Sequence, residues 1–306
     1  MGSITIKSHV EIKVPATTAN LGPGFDCLGM ALDIWNTVRL GTGGSSIKIV
    51  GEGANLLSTD HDNLVYTSAA ALFHEIGEPV PPLMIACKNE VPLGRGLGSS
   101  STAVVGGLVA ANALCGEPLS QDDLLGLAVR IEGHPDNVTP ALFGGCQIVV
   151  ADETKLITSE VPLGRELWAV LYIPSQQMPT HQARGLLGAQ VSRADAVFNM
   201  GRTALLVNAL ISGDLELLKT ATQDRLHQNA RGILFPAMHL IIRAALEAGA
   251  SGAFLSGAGS TILALTHDRE MTVGYEMADM ANKAGVPGNV KITKISSQGA
   301  RVVSVE

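Results

Sequence analysis

Apolar and polar positions follow two different spacings along the first part of the chain. Helical spacing extends over 63–78, with Asn63 as a candidate N-cap and Gly77 near the C-terminal end. β-rich runs separated by turn residues predict strands over four ranges: 10–15, 30–40, 46–51 and 82–91. This part of the chain therefore predicts a sheet with at least one helix packed on it.

Two more helices and a strand follow before residue 152. A run of small residues predicts a helix from about residue 100 to 115. The next helix begins with the capping-box spacing of Ser120 and Asp123. Its apolar residues then fall on one face, as Leu124, Leu127, Ala128 and Ile131. Residues 143–152 read as a strand.

The second half of the chain starts the pattern again. It predicts a buried strand, a helix-rich stretch, a helix beginning near Pro236, two strands around a Gly-rich turn, a helix and two final strands. These elements cover, in order, 166–174, 192–220, 236–250, 252–257, 261–267, 269–284, 289–296 and 300–306. The order fits a split β-α-β arrangement, and we expect two domains, 1–155 and 156–306.

Composition narrows the class of protein. With 306 residues, 46% hydrophobic and 16% charged, the chain is long and apolar enough for a compact globular fold. The formal net charge of −7 argues against nucleic acid or an anionic membrane as an obligatory partner. The four cysteines form no CxxC pair, and we expect them to be reduced. Neither a signal peptide nor a membrane span is evident, so we expect a cytoplasmic protein, and a homodimer is compatible with this composition.

The most informative stretch is PLGRGLGSSST, residues 92–102, which opens the small-residue helix. Backbone N–H groups of a Gly-rich loop at a helix N-terminus form an anion site, and the three serines add hydroxyl donors. The stretch fits neither GxxxxGK[ST] nor GxGxxG. Glycine content alone also allows a plain turn before a tightly packed helix.

Four stretches in order resemble one family. PxxxGLGSS resembles the phosphate-binding motif of the GHMP kinases, and VPATTANLGPGFDCLGMALD (14–33) resembles the signature of the homoserine kinases within that superfamily. EGHPDNVTPALFGG (132–145) and AFLSGAGSTILAL (253–265) are similar to later family segments. The resemblance implies an α+β fold, with an N-terminal domain like domain 2 of ribosomal protein S5 and a ferredoxin-like C-terminal domain.

The resemblance also implies the nucleotide site. Phosphates of ATP would lie on the loop, at Pro92, Leu93, Gly94, Arg95, Gly96, Leu97, Gly98, Ser99, Ser100, Ser101 and Thr102. Ser100 and Glu132 would hold Mg²⁺. A carboxylate at the C-terminal end of a helix opposes the helix dipole, so Glu132 makes better sense beside a cation. The alternative for Glu132 is an ordinary exposed acid, and the alternative for Arg95 is a side chain that points to water.

For the second substrate, the resemblance implies L-homoserine and several contacts. Asp26 would accept a hydrogen bond from the substrate hydroxyl or bind the ammonium, and Asn20 would help to place it. Arg184 and Arg231 would clamp the carboxylate through paired hydrogen bonds. Further contacts are implied at Thr180, His134, Asn137 and Gly257. Simpler interpretations remain open: turn residues at Asn20, Asp26 and Asn137, surface arginines, and a tight hairpin turn at 256–261.

Asn137 and Thr17 separate this chain from the mevalonate kinases, which carry an Asp and a Lys at the comparable places. An amide cannot take a proton at neutral pH, so the resemblance assigns catalytic roles to Asp26, Asn137, Ser100 and Glu132 but no general base. Phosphoryl transfer can proceed mainly by positioning and charge neutralisation. The alternatives are a GHMP kinase for a mevalonate-type substrate or a sugar, and a metabolite sensor that kept the fold without turnover.

Overall fold

The computed structural model describes residues 7–153 and 155–306. Its strands are β1 (His9–Ala19), β2 (Leu28–Thr42), β3 (Ser46–Gly51), β4 (Leu83–Asn89), β5 (Cys146–Asp152), β6 (Lys155–Val161), β7 (Trp168–Pro174), β8 (Gly252–Leu255), β9 (Ile262–Thr266), β10 (Gly288–Lys294) and β11 (Arg301–Val305). Every strand predicted from the sequence is present, and β6 is an addition.

The helices are α1 (Leu64–Glu75), α2 (Ser99–Leu114), α3 (Gln121–Glu132), α4 (Pro135–Phe143), α5 (Thr180–Gly185), α6 (Arg193–Ser212), α7 (Leu218–Ala221), α8 (Gln228–Arg231), α9 (Met238–Glu247) and α10 (Glu270–Lys283). The predicted caps are confirmed. The Asn63 side chain accepts hydrogen bonds from the first turn of α1. Ser120 and Asp123 form the reciprocal capping box of α3.

The first sheet has seven strands. Its main path is β11-β1-β2-β4-β3, and β5 extends it by pairing with β2 and then with β6. Strand β2 is 15 residues long and antiparallel to β1 throughout. Its first part pairs with β5 and its last part with β4, so this single strand links two regions of the sheet.

The second sheet has four antiparallel strands in the order β10-β7-β9-β8. Numbered by appearance in this sheet, that order is 4-1-3-2, with helices in the connections from β7 to β8 and from β9 to β10. This is the ferredoxin-like, split β-α-β arrangement expected for the second half.

Sheet membership does not follow the predicted boundary at residue 155. Strand β6 begins at that boundary and pairs with β5, and β11 returns at the end of the chain to pair with β1. The first sheet therefore takes strands from both sides of the boundary, because an antiparallel edge accepts a partner at any sequence distance. The division into 1–155 and 156–306 stays a prediction.

Three apolar clusters hold these layers together. One lies between the first sheet and α1–α4, and includes Ile12, Val38, Leu72 and Val105. Another joins the two sheets, through Met30, Leu171, Leu206 and Phe254. The third packs α9 and α10 on the other face of the second sheet, at Val170, Tyr172, Ile241 and Val273. Strand β7 supplies both faces because successive side chains point to opposite sides of a sheet.

The cysteines match the expectation from the sequence. All four thiols are free: Cys87, Cys115 and Cys146 are buried, and Cys27 is partly exposed beside Asp26. Burial raises the pKa of Cys87 and Cys115 to about 11 and that of Cys146 to about 12. Across the described residues, none of the helices has both the length and the apolar character needed to span a bilayer.

Candidate functional site

One polar cavity of about 100 Å³ gathers most of the predicted site residues. It lies where residues 92–102, called the phosphate loop below, meet the C-terminal end of α3 and the loops of the second sheet. Its walls include Asn20, Gly94, Arg95, Gly96, Gly98, Ser99, Ser100, Ser101, Glu132, His134, Asn137, Thr180, Arg184, Arg231 and Gly257. Asp136 and Ala258 also line it, although the sequence did not single them out as contacts.

The phosphate loop has the backbone that an anion site needs. Gly94, Gly96 and Gly98 have φ values of 62°, 73° and 69°, in the left-handed region that favours glycine. Gly98 is the N-cap of α2, and no side chain caps the first turn. The free N–H groups of this turn therefore face the cavity with the positive end of the helix dipole.

Two of these glycines are also required by packing. A Cβ on Gly96 would lie 2.1 Å from the Ser256 carbonyl oxygen, and a Cβ on Gly98 would lie 1.9 Å from Thr17 Oγ1. Ser256 Oγ donates to the Gly96 carbonyl, and Thr261 N donates to Arg95 O. The 256–261 segment is thus both the β8–β9 turn and a direct support of the phosphate loop.

Glu132 lies against the first turn of α2. Ser100 Oγ donates to Glu132 Oε2 over 2.7 Å, and Ser101 Oγ donates to Oε1 over 3.0 Å. Only 8% of the Glu132 side chain is exposed, so its charge lies in a sheltered position next to the anion site. One carboxylate and one hydroxyl are hard oxygen ligands that fit Mg²⁺ shared with phosphate groups. The described residues contain no cluster of three His, Cys, Asp or Glu side chains that could hold a metal alone.

Arg95 lines the polar cavity and also holds the phosphate loop through its guanidinium group. Its Nε and Nη2 donate to the carbonyl oxygens of Pro174 and Ser175, and its Nη1 donates to Leu93 O. Arg95 therefore ties the phosphate loop to the end of β7, with one hydrogen bond from each guanidinium nitrogen to a backbone carbonyl.

The four remaining side chains of the phosphate loop that were predicted to contact ATP have different surroundings. Leu97 is buried in the cluster between the two sheets, and Thr102 Oγ1 donates to Ser99 O and accepts from Asn36. These two side chains hold the loop and do not line the polar cavity. Pro92 is half-buried outside the cavity lining, and Leu93 faces a second cavity.

This second cavity, of about 250 Å³, adjoins the first through Gly94, Ser99 and Ser100. Its walls are mainly apolar and include Val38, Ile49, Leu57, Leu64, Val65 and Leu93. Asn63 lies at its edge. No sequence motif marks it, because its residues come from β2, β3, β4, α1, the start of α2 and two loops, which are far apart in the sequence.

At the other end of the polar cavity, Asp26 and Arg184 form a bidentate pair. Arg184 Nη1 and Nη2 donate to the two carboxylate oxygens over 3.0 and 2.6 Å. The hydrogen bond and charge of Asp26 raise the pKa of Arg184. The sequence assigned the two residues to different parts of the substrate and did not indicate that they pair.

The loop that carries Asp26 has an unusual backbone. The φ values of Asn20, Leu21 and Asp26 are 69°, 47° and 57°, in a region that residues other than glycine rarely adopt. The Asn20 side chain accepts from Asp26 N and donates to the Gly257 carbonyl. Asn20 thus serves the turn, as one interpretation held, and it also lines the cavity.

Arg231 is 1% exposed, so it is not a surface arginine. Its Nη1 donates to Gly257 O and to His227 Nδ1, each over 2.8 Å. Burial and the charge of Arg184 lower the pKa of Arg231 to about 10, which leaves it charged at neutral pH. Both arginines lie beside the Phe25 ring, with each guanidinium carbon 5.6 Å from its centroid.

The segment before α4 completes the cavity. Thr17 Oγ1 donates to Asn137 Oδ1, which fixes the amide close to the phosphate loop. His134 Nδ1 lies 3.2 Å from the buried carboxylate of Asp136. Burial opposes protonation of His134, but Asp136 and Glu132 together raise its pKa. Thr180 begins α5, four residues before Arg184.

Family comparisons match both halves of the chain. The GHMP kinases N terminal domain family matches residues 63–145, and the GHMP kinases C terminal family matches 206–273. The homoserine kinase of Desulfitobacterium hafniense is 44% identical over 296 residues, which are 96% of this chain and 100% of the relative. That of Microchaete diplosiphon is 44% identical over 301 residues, covering 97% and 98%.

Comparison with solved structures gives the same fold. The crystal structure of homoserine kinase from Cytophaga hutchinsonii superposes with a TM-score of 0.88 at 30% identity, covering 99% of this chain and 100% of the other. A Streptococcus pneumoniae phosphomevalonate kinase shares the fold, with a TM-score of 0.74 at 14% identity over 94% and 100% of the two chains. The two-domain fold expected from the sequence is confirmed.

Proposed function

Because the chain belongs to the homoserine kinase family within the GHMP kinases, we propose that it transfers the γ-phosphoryl group of ATP to the side-chain hydroxyl of L-homoserine. The products are ADP, O-phospho-L-homoserine and the proton that the hydroxyl releases. The observation that carries the proposal is one cavity with an anion site at one end and opposite charges, arranged for a zwitterion, at the other.

The phosphates of ATP would lie on the phosphate loop. The free N–H groups at the start of α2 and the hydroxyl of Ser99 supply donors without lysine, while the hydroxyls of Ser100 and Ser101 donate to Glu132. The adjoining apolar cavity suits the nucleoside, since it opens to the loop at Gly94 and Ser99.

Ser100 and Glu132 would hold Mg²⁺ between the loop and α3. When bound there, the ion supplies positive charge to the phosphate oxygens that the loop itself lacks. The Glu132 carboxylate is already held at the loop by Ser100 and Ser101, so its orientation is set before a ligand arrives.

The substrate end fits an amino acid. Asp26 would bind the α-ammonium, and Arg184 and Arg231 the carboxylate. Asn137, held by Thr17 beside the loop, would orient the hydroxyl toward the γ-phosphorus, so the O–P bond forms as the bond to ADP breaks. Positioning by these groups carries the reaction, and no side chain is assigned as general base.

A mevalonate-type or sugar substrate would leave these charges unmatched. Neither substrate offers an ammonium to Asp26 together with a carboxylate to Arg231. The curated relatives that are 44% identical are homoserine kinases, while the phosphomevalonate kinase structure is 14% identical. A sensor without turnover would have no use for the sheltered Glu132 and its serine partners.

A direct test is ADP release with Mg-ATP and a substrate panel. The panel contains L-homoserine, L-serine, mevalonate, galactose and no acceptor, and phosphorus NMR identifies the product. We expect release that requires L-homoserine and a phosphomonoester signal. Turnover with mevalonate or galactose alone would contradict the proposed substrate, and absence of any turnover despite ATP binding would favour the sensor.

We also propose a cytoplasmic location and a homodimer. Cell fractionation tests the first, and light scattering of the purified chain tests the second.

A further inference from the structure

We propose that His227 is a positioning residue that orients the guanidinium of Arg231, so that one defined edge of Arg231 faces the substrate carboxylate. The inference rests on the proposed function, because it takes the ligand of Arg231 to be a carboxylate. His227 lies behind Arg231, outside the cavity lining, and the resemblance of motifs did not include it.

The hydrogen bonds of His227 select one tautomer. Its Nε2 lies 2.8 Å from the Gly22 carbonyl oxygen, which can only accept, so Nε2 carries the hydrogen. Its Nδ1 lies 2.8 Å from Arg231 Nη1, which can only donate, so Nδ1 is the acceptor. Only the neutral ring with hydrogen on Nε2 satisfies both contacts.

This contact decides which edge of Arg231 is free. Nη1 has two hydrogens, and they go to Gly257 O and His227 Nδ1. Nε is buried without a hydrogen-bond partner among the described residues. The Nε–Nη2 edge therefore stays available, and this edge can donate two parallel hydrogen bonds to a carboxylate.

The surroundings keep the His227 ring in place. The ring is fully buried and stacks on Phe25, with centroids 5.3 Å apart. Asp224 accepts hydrogen bonds from the backbone N–H groups of Leu226, His227 and Gln228, which fixes the turn before α8. Asn199 holds Asp224 in turn. Burial lowers the pKa of His227 to about 4, so the ring is neutral at physiological pH.

His227 also joins two distant segments. Through Gly22 it holds the loop that carries Asp26, and through Arg231 it holds the opposite side of the substrate end. The Gly22 contact fixes the ring, and the Arg231 contact sets the orientation of the guanidinium assigned to the carboxylate.

Two substitutions of His227 test the hydrogen bonds of its two ring nitrogens separately. In His227→Asn the amide oxygen reaches about as far as Nδ1 and keeps an acceptor for Arg231. In His227→Gln the amide nitrogen reaches about as far as Nε2 and keeps the donor for Gly22. Loss of a hydrogen bond to a charged group should raise the KM for L-homoserine about 10- to 100-fold in His227→Gln. In His227→Asn we expect a change of about threefold or less, since the Arg231 contact is kept. The KM for ATP should stay unchanged in both.

Three controls make the result specific. His239→Gln, an exposed histidine on α9, should leave every constant unchanged. The substrate analogue 3-aminopropan-1-ol lacks only the carboxylate, and its turnover should not distinguish the two His227 variants. In an Arg231→Lys background, His227→Gln should cause little further loss, because His227 acts through Arg231.

Equal KM increases in the Asn and Gln variants, or full additivity with Arg231→Lys, would overturn the inference while the proposed function stands. A wild-type chain that does not phosphorylate L-homoserine would remove the proposed function and the inference together. Thermal melting of each variant identifies a substitution that only unfolds the chain.

Discussion

The two ends of the cavity are built in different ways. At the phosphate end, most of the residues that line the cavity come from one continuous stretch, residues 92–102. At the substrate end, side chains come from five segments: 20–26, 134–137, 180–184, 227–231 and 256–258. The phosphate end relies on the geometry of its backbone. The substrate end relies on charged side chains, which are held by one another and by the neutral ring of His227.

The difference follows from what each ligand offers. A phosphate group is bulky and has the same oxygens in every nucleotide, so N–H groups and close approach are sufficient. An amino acid must be distinguished from similar small molecules, and this requires oriented, opposite charges at fixed distances. Substitutions should therefore act through backbone strain at one end and through lost charge contacts at the other.

The largest effect is expected at the substrate end, for Arg231→Ala. Removing a buried, hydrogen-bonded charge should cost about 4 kcal/mol of binding, or roughly a thousandfold in the KM for L-homoserine. The KM for ATP should change by about twofold or less, because the phosphate end does not depend on Arg231. Steady-state kinetics measure both constants. Arg243→Ala, an exposed arginine on α9, is the control. A matched loss of ATP affinity would show that the two ends are not separate.

At the phosphate end, Gly96→Ala tests backbone strain. A Cβ at Gly96 would meet backbone atoms of Ser256 and Gly259 at 2.1 and 2.8 Å, in addition to the left-handed φ. We expect a loss of about 3 kcal/mol in the free energy of unfolding and a raised KM for ATP. Urea denaturation measures the first.

Gly94→Ala is the matched control. Its φ is also left-handed, but the nearest atoms, in the Gln177 side chain, lie 3.6 Å from the new Cβ. We expect a loss of only about 1 kcal/mol. Equal destabilisation of the two variants would mean that conformation alone, without the contact to 256–259, determines the cost.

The pH dependence of stability reports on the substrate end. The pKa of His227 falls from 6.5 to about 4 on folding, so between these values the unfolded chain binds a proton that the folded chain does not. Stability should decrease as pH falls through this window, by at most about 3 kcal/mol from this residue. His134 has a raised pKa and acts in the opposite sense: its contribution is full below 6.5 and is lost as pH rises through its folded value.

Denaturation curves of the wild type and His227→Gln between pH 4 and 7.5 isolate the His227 contribution. Below pH 6.5 the variant should lose stability less steeply than the wild type, because it lacks His227. His134 titrates in both proteins, so its contribution cancels in the comparison. Parallel curves would contradict a neutral, buried His227.

Among the substitutions of charged residues, Glu132→Gln, at the boundary between the two ends of the cavity, is expected to have a smaller effect than Arg231→Ala. The amide keeps an acceptor for the serines but lacks the charge, so half-saturation by Mg²⁺ should rise about 10- to 30-fold, or about 2 kcal/mol. The KM for L-homoserine should not change. Asp122→Asn in the first turn of the same helix is the control. Unchanged metal dependence would remove Glu132 from the proposed Mg²⁺ site.

Local rules explain what could be predicted from the sequence. The caps at Asn63 and Ser120, the spacing of the strands and the Gly-rich loop each depend on residues within a few positions of one another. The family motifs added the residues of both ends, and the structure brings Asn20, Asn137, Arg184, Arg231 and Gly257 to one cavity.

Contacts between distant segments could not be predicted in the same way. The bond of Arg95 to Pro174, the bond of His227 to Gly22, the pairing of Asp26 with Arg184, and the return of β11 to β1 each join residues more than 75 positions apart. The sequence by itself determined the elements, the chemistry of the phosphate loop and the family. Only the tertiary structure decided which side chains line the cavity and which hold those side chains in place, because burial and pairing are set by the packing of the two sheets.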